Sequence, residues 1–243
     1  MTIEAEVDKL TTGCRILAEQ SILDAYGHLS ARMPDTPNLM IIPRQMPPAL
    51  VTPDDFIVMD FDGNVVEGRG TPNQEWPIHA CVLKARADVN CVLHSHSMWS
   101  RIWGLAKVKL RGVLAGQSYE WNEGLAVYRD AGLIRNLDRG NKVVQVLGQA
   151  SAMLLRGHGD VVVGRDVSAT VLRSITLRDN AEVLHHAVAL GDVDYWDKEE
   201  AAPWIEAPAS GAGGGVQVGP VANRAWEYYE ARIDGRLRKL LGQ

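Results

Sequence analysis

The sequence predicts one α/β domain with a C-terminal appendage. Stretches of helical periodicity alternate with short apolar runs bounded by Gly, Pro and Asp. No internal repeat or composition break precedes a glycine-rich stretch at 207–220. At 243 residues, 46% of them apolar, the chain is long enough for one large core or two small ones. The unbroken pattern favours one.

From Glu4 to Ala25 apolar residues recur at helical spacing (Val7, Leu10, Cys14, Leu17, Ile22, Leu23), and Gly27 then turns the chain. "NLMIIP" and "DFIVMD" read as strands, and "DFDGNVVEG" as a hairpin around Asp62-Gly63. "QEWPIHACVLKARAD" is helical, with Pro77 in the first turn, where its missing N–H costs little. Residues 89–93 form a strand, "MWSRIWGLA" a short helix, and Asn141–Gln149 another. "SAMLLRGHGDVVVG" reads as strand, tight turn, strand, and Ser168–Leu190 as the longest helix, ended by Gly191. Beyond the flexible stretch at 207–220, residues 221–243 predict a charged helix.

Composition narrows the function. A net charge of −5 and pI near 5.8 provide no basic surface for nucleic acid or anionic membrane. No apolar run approaches the ~20 residues of a membrane span, and "MTIEAEVDKL" has no signal-peptide core. Cys14, Cys81 and Cys91 are too few and too apolar in setting for a disulfide framework, so the expected compartment is the cytoplasm.

The chemistry concentrates in histidines. "CVLHSHSMWS" ends a strand with His94 and His96, which point to one face because side chains alternate along a strand. His158 lies in a turn between Gly157 and Gly159, residues that permit positive φ and close backbone approach. Three neutral imidazoles with an open position suit a catalytic metal ion. The alternative is a polar pair where a strand meets solvent. His79, on an apolar helix, and His185-His186 read as structural or surface residues.

Glu75, at the start of the helix before the H-x-H, completes a pattern. "GHLSAR", "QEWPIHACVLKARADVNCVLHSHS" and "LLRGHGDVVVG" followed by a long helix occur in the order of the class II aldolase/adducin family, which the chain resembles over nearly all of residues 1–190. The resemblance implies a three-layer α/β/α fold with a central mixed or antiparallel sheet. The catalytic domain is expected at 1–206. It also implies that His94, His96 and His158 hold one divalent ion (Mn2+ or Zn2+, with Fe2+ as an alternative), and that Glu75 is the acid/base group and at times a further ligand. No organic cofactor motif is visible. Family enzymes are commonly tetramers with the active site at a subunit interface, which a C-terminal aromatic hydroxyl, here Tyr228 or Tyr229, can reach.

Three departures fall on groups that hold a phosphosugar. Gly-Asn-x-Ser has become Gly27-His28-Leu29-Ser30, the phosphate-binding turn has become "IIPRQMPPALVTPDD", and two small hydroxyl residues have become Asn73-Gln74. Arg44 brings a guanidinium fork suited to a carboxylate. "GH-x-S-x-R" with "IIPR" and "RGHG" resembles the branch that decarboxylates hydroxylated aromatic dicarboxylates. The expected substrate contacts are Arg44, His28, Ser30 and Tyr229, with Glu75 and His28 catalytic. Glu75 would protonate the ring carbon, given a pKa raised by an apolar setting that includes Trp76. The rival readings are an aldolase or dehydratase of a small hydroxy-ketone or sugar phosphate, a metal oxygenase, and a non-catalytic adducin-like module. The last has no reason to keep Glu75 with three histidines.

Overall fold

The computed structural model describes residues 2–115, 117–197, 199, 200, 202 and 220–235. Helix α1 (Ile3–Glu19) is capped by the Thr2 side chain, which accepts from the Ala5 N–H, and carries Glu4 and Glu6 in its first turn, where the helix dipole favours acids. It is shorter than its periodicity predicts. Ser21 takes φ 56°, and the Ile22 N–H turns back to the Leu17 carbonyl at 2.9 Å, the bond pattern of a Schellman cap. Ile22 and Leu23 keep the apolar rhythm because they are buried beyond the cap.

The strands are β1 (His28–Arg32), β2 (Leu39–Pro43), β3 (Phe56–Asp60), β4 (Val65–Glu67), β5 (Cys91–Ser95), β6 (Val127–Tyr128), β7 (Ala152–Leu155) and β8 (Gly159–Gly164). They form one sheet in the order β4-β3-β2-β1-β5-β8-β7-β6, antiparallel throughout except for the parallel β6–β7 edge. The remaining helices are α2 (Trp76–Ala85), α3 (Met98–Leu105), α4 (Leu137–Leu147), α5 (Val167–Leu190) and α6 (Pro220–Ile233).

Alternation along the strands builds two cores. Leu29, Cys91, Leu93 and Val162 face α1 and α5, whereas Met40, Val92, Met153 and Val161 face α2 and α4. The architecture is therefore the expected α/β/α sandwich with a mixed sheet. The sequence pattern gives no sign of β1, whose second face is polar (His28, Ser30, Arg32). Helix α4 begins earlier than expected, at an Asn136 cap that accepts from the Arg139 N–H. The linker expected at 207–220 lies outside the described residues except for Pro220, as does the end of the expected C-terminal helix, 236–243. Among the described residues no helix is long and apolar enough to cross a membrane.

Candidate metal centre and its cavity

The adjacent central strands β1, β5 and β8 end together. β5 runs two residues past its predicted end, so His94 follows Val92 onto the α2 face and is fully buried. Its Nδ1–H donates to the Asp160 carbonyl at 2.8 Å, which leaves Nε2 with a free lone pair. His96 Nε2 lies 3.2 Å from that atom. His158 enters from the β7–β8 turn, where Gly157 takes φ 66° and Gly159 passes so close to β5 that a Cβ would sit 1.8 Å from the Ser95 carbonyl oxygen. Below it, the buried Asp160 carboxylate accepts hydrogen bonds from the Ser95 and Ser100 hydroxyls.

Glu75 precedes α2. Its Oε1 accepts from the Ile134 N–H at 2.9 Å, and its Oε2 lies 3.4 Å from His94 Nε2 and 3.3 Å from His158 Nε2. One ligand atom from each of Glu75, His94, His96 and His158 falls within 4.8 Å of the others. His158 Nε2 is buried without a hydrogen-bond partner. Three imidazole nitrogens and a carboxylate oxygen that converge with no donor between them are a set suited to zinc or manganese.

Electrostatics agree. Burial, then His94, His158 and Arg101, push His96 down to about 3, so its ring is neutral. Burial would raise the Glu75 pKa, but the facing His158 and His94 rings and the hydrogen bond from the Ile134 N–H hold it below the usual carboxylate range. Burial would likewise lower His94, but Glu75 holds it above its ordinary value. The centre calls for a positive charge, which a metal ion supplies in place of a proton. The expected rise of the Glu75 pKa is thus absent. Trp76 packs over Gly63 and the α2-side core, while Glu75 faces polar partners.

Beside this centre opens a cavity of about 630 Å³, lined among others by Tyr26, His28, Glu75, His96, Arg101 and Arg135. That volume suits a small molecule. His28 meets it with one nitrogen only, because Nδ1 lies 2.6 Å from His79 Nε2. His79 Nδ1 in turn lies 2.6 Å from Ser30 Oγ. Burial above all, then His79 and His94, keeps His28 well below the usual imidazole pKa.

Other expected contacts fall elsewhere. Ser30 is fully buried behind His28, with its hydroxyl engaged by His79, so it supports the wall rather than touching a ligand. Arg44 turns its Nε and Nη2 onto Asp55 Oδ1 at 2.9 and 2.8 Å and is not among the lining residues, so gripping a substrate carboxylate would require that pair to open. Tyr229 is half-buried in a separate cleft beside Leu172 and Ile175. His79, read from sequence as merely structural, links Ser30 to His28. Its spacing of four from Glu75, which puts both on one helix face, is the available signal. Nothing in the sequence marks Arg101, Arg135 or the Ile134 N–H.

Residues 8–185 match the family described as Class II Aldolase and Adducin N-terminal domain. The chain is similar to a 3,4-dihydroxyphthalate decarboxylase of Arthrobacter keyseri, 26% identical over 93% of each chain. It is also similar to a protein of that name from Rhodococcus jostii, 27% identical over 82% of this chain and 86% of the other. Its fold resembles L-fuculose 1-phosphate aldolase from Glaciozyma antarctica with a TM-score of 0.78 at 24% identity, covering 96% of this chain and 91% of that one. With the sheet order, the histidine set and the match over most of its length, this chain belongs to the class II aldolase and adducin family.

Proposed function

We propose that the protein is a divalent-metal-dependent carbon–carbon lyase that removes CO2 from a hydroxylated aromatic dicarboxylate. The observation that carries the reading is the convergence of Glu75, His94, His96 and His158 beside a small-molecule cavity, in a chain similar to dihydroxyphthalate decarboxylases. The three histidines would hold the ion, Mn2+ or Zn2+, with Glu75 as a further ligand. A divalent ion bound there is a Lewis acid for the charge that builds on a substrate oxygen.

The chain's own groups do the rest. The ring hydroxyl, as its oxyanion, would push electrons to the ring carbon that bears the departing carboxylate. Once that carbon takes a proton, the bond to the carboxylate breaks, CO2 leaves and its electron pair returns through the ring to the same oxygen. His28, neutral, would present Nε2–H to that oxygen when His79 donates to its Nδ1. The proton for the ring carbon must come before the bond breaks, and Glu75 is the only carboxylate lining the cavity among the described residues. Its Oε2, which faces His94 and His158, would carry that proton whenever it is not itself bound to the ion. We also assign the chain to a homo-oligomer, a tetramer with the site at an interface that Tyr229 approaches. The exposed Met98 and Leu105 on α3 support this, and light scattering tests it.

The test is metal analysis of the purified protein, followed by CO2 release across a panel of hydroxyaromatic mono- and dicarboxylates. Release from a dicarboxylate that stops on chelation and returns with added metal is the expected result. Cleavage of a ketose phosphate, with no CO2 from any aromatic acid, overturns it in favour of an aldolase.

A further inference from the structure

Most charged side chains near the centre are already paired. Arg32 is engaged by the Leu83, Arg86 and Val89 carbonyls, Arg44 by Asp55, Arg139 by Asp130 and Arg173 by Glu120. Two arginines on the cavity wall differ. Arg101 uses only Nε, which donates to the His158 carbonyl at 3.2 Å, so both Nη groups are uncommitted among the described residues. The Arg135 side chain has no hydrogen bond or ion pair among the described residues.

Both are tied to the centre through main-chain atoms. Arg101 is fastened to the carbonyl of a candidate metal ligand. Arg135 follows Ile134, whose N–H is bonded to Glu75 Oε1, and its own N–H closes onto the Leu133 carbonyl. The Arg101 guanidinium is therefore held against the histidines, while Arg135 is placed by its main chain and leaves an exposed side chain at the cavity rim. The cavity wall carries these two permanent cations against a single carboxylate, Glu75, which is turned to the histidines. Such a wall selects an anion.

We infer that Arg101 and Arg135 form the receptor for the carboxylate that the substrate keeps, and that dicarboxylate selectivity resides there and not at Arg44. This rests on the decarboxylase reading and assigns its substrate contacts. The retained carboxylate is the one they hold, for an electrostatic reason. A departing carboxylate gives up its charge as CO2 forms, so a guanidinium clamped on it would stabilise the ground state more than the transition state. A carboxylate that keeps its charge is bound equally in both. Losing its receptor raises KM and leaves kcat little changed.

The experiment uses the full metal-loaded chain and compares wild type with Arg101→Met, Arg135→Met, Arg135→Lys and Arg44→Met, with metal occupancy checked for each. Calorimetric binding of phthalate and of benzoate gives a readout independent of turnover, and kcat and KM are measured on whichever hydroxyphthalate the wild type decarboxylates. Wild type should bind phthalate more tightly than benzoate. Arg101→Met and Arg135→Met should each lose roughly 10- to 100-fold of phthalate affinity, the range for a charge-assisted hydrogen bond. The loss should appear in KM, recover in part in Arg135→Lys, and be absent in Arg44→Met. Unchanged phthalate preference in both Arg101→Met and Arg135→Met overturns the inference while CO2 release by wild type leaves the decarboxylase reading standing. If wild type releases no CO2 and binds inorganic phosphate through the same arginines, the decarboxylase reading fails and the retained carboxylate with it.

Discussion

His28 and His79 are joined ring to ring, Nδ1 of the first lying 2.6 Å from Nε2 of the second, with Ser30 Oγ closing the other end of the chain. When the Ser30 hydroxyl donates to His79 Nδ1, His79 Nε2–H donates to His28 Nδ1, and His28 must carry its own proton on Nε2, toward the cavity. His79→Leu removes that constraint. It should cost on the order of 1–3 kcal/mol of stability, because two buried polar groups lose their partner. It should also lower kcat at least tenfold, the effect of an untethered donor. Nitrogen chemical shifts of the His28 ring, read in zinc-loaded protein, should show Nε2–H in wild type and a mixture in the variant. An unchanged tautomer with unchanged kcat would make His79 a packing residue.

Glu75→Gln keeps the shape and removes the acid. Its kcat should fall by about 100-fold or more, the range for a lost proton carrier, while affinity for an unreactive dicarboxylate stays near that of wild type. Metal content must be measured in the same samples, since Oε2 faces two of the histidines.

His96→Ala should weaken binding of zinc or manganese by on the order of 100-fold, at least the penalty seen for losing an outer-shell partner. The exposed His185, 5.1 Å from the Trp99 ring, provides the control: His185→Ala should leave metal content untouched. Equal occupancy in the two variants would remove His96 from the ligand set.

Gly159→Ala tests the close passage of β8 against β5. A Cβ at 1.8 Å from the Ser95 carbonyl oxygen forces the strands apart, and the cost should be about 2 kcal/mol or more. Because His158 precedes this residue and the Asp160 carbonyl holds His94, metal occupancy should fall together with melting temperature.

Asp55 gives a pH dependence. The Thr52 N–H above all, with the Thr52 hydroxyl and Arg44, outweighs burial and holds its pKa below the usual carboxylate value. A depressed folded-state pKa contributes stability above the unfolded value, near ~3.9, that is lost as pH falls through the folded one. Asp55→Asn should therefore be less stable than wild type at pH 7 by on the order of 1 kcal/mol, the scale of a lost cap. The gap should close in acid below about pH 4. Denaturant titrations at pH 7 and in acid measure it.

What could be read from the sequence was what periodicity encodes. His94 and His96 were legible because a strand of period two puts them on one face, and His158 because Gly157 and Gly159 mark a tight passage. The end of α1 was hidden, since Ile22 and Leu23 continue the helical rhythm while belonging to a cap. β1 was hidden for the opposite reason: its inner face is polar because His79 and neighbouring carbonyls satisfy it. Arg44 looks available in a linear reading, which cannot show that Asp55, eleven residues on, meets it across the ends of β2 and β3. Arg135 lies in a connection without period, so no pattern announces that it borders the cavity.

The candidate ligands are held close to paired strands and a helix start, whereas much of the cavity wall comes from longer connections. His94 is fixed on a central strand and Glu75 opens a helix, whereas Tyr26, Met46, Leu133 and Arg135 stand on connecting segments. Connections accept substitutions and insertions that a paired strand rejects. Descendants of such a chain can therefore exchange one substrate for another by rewriting three connections, while the cluster of Glu75, His94, His96 and His158 passes unaltered from generation to generation.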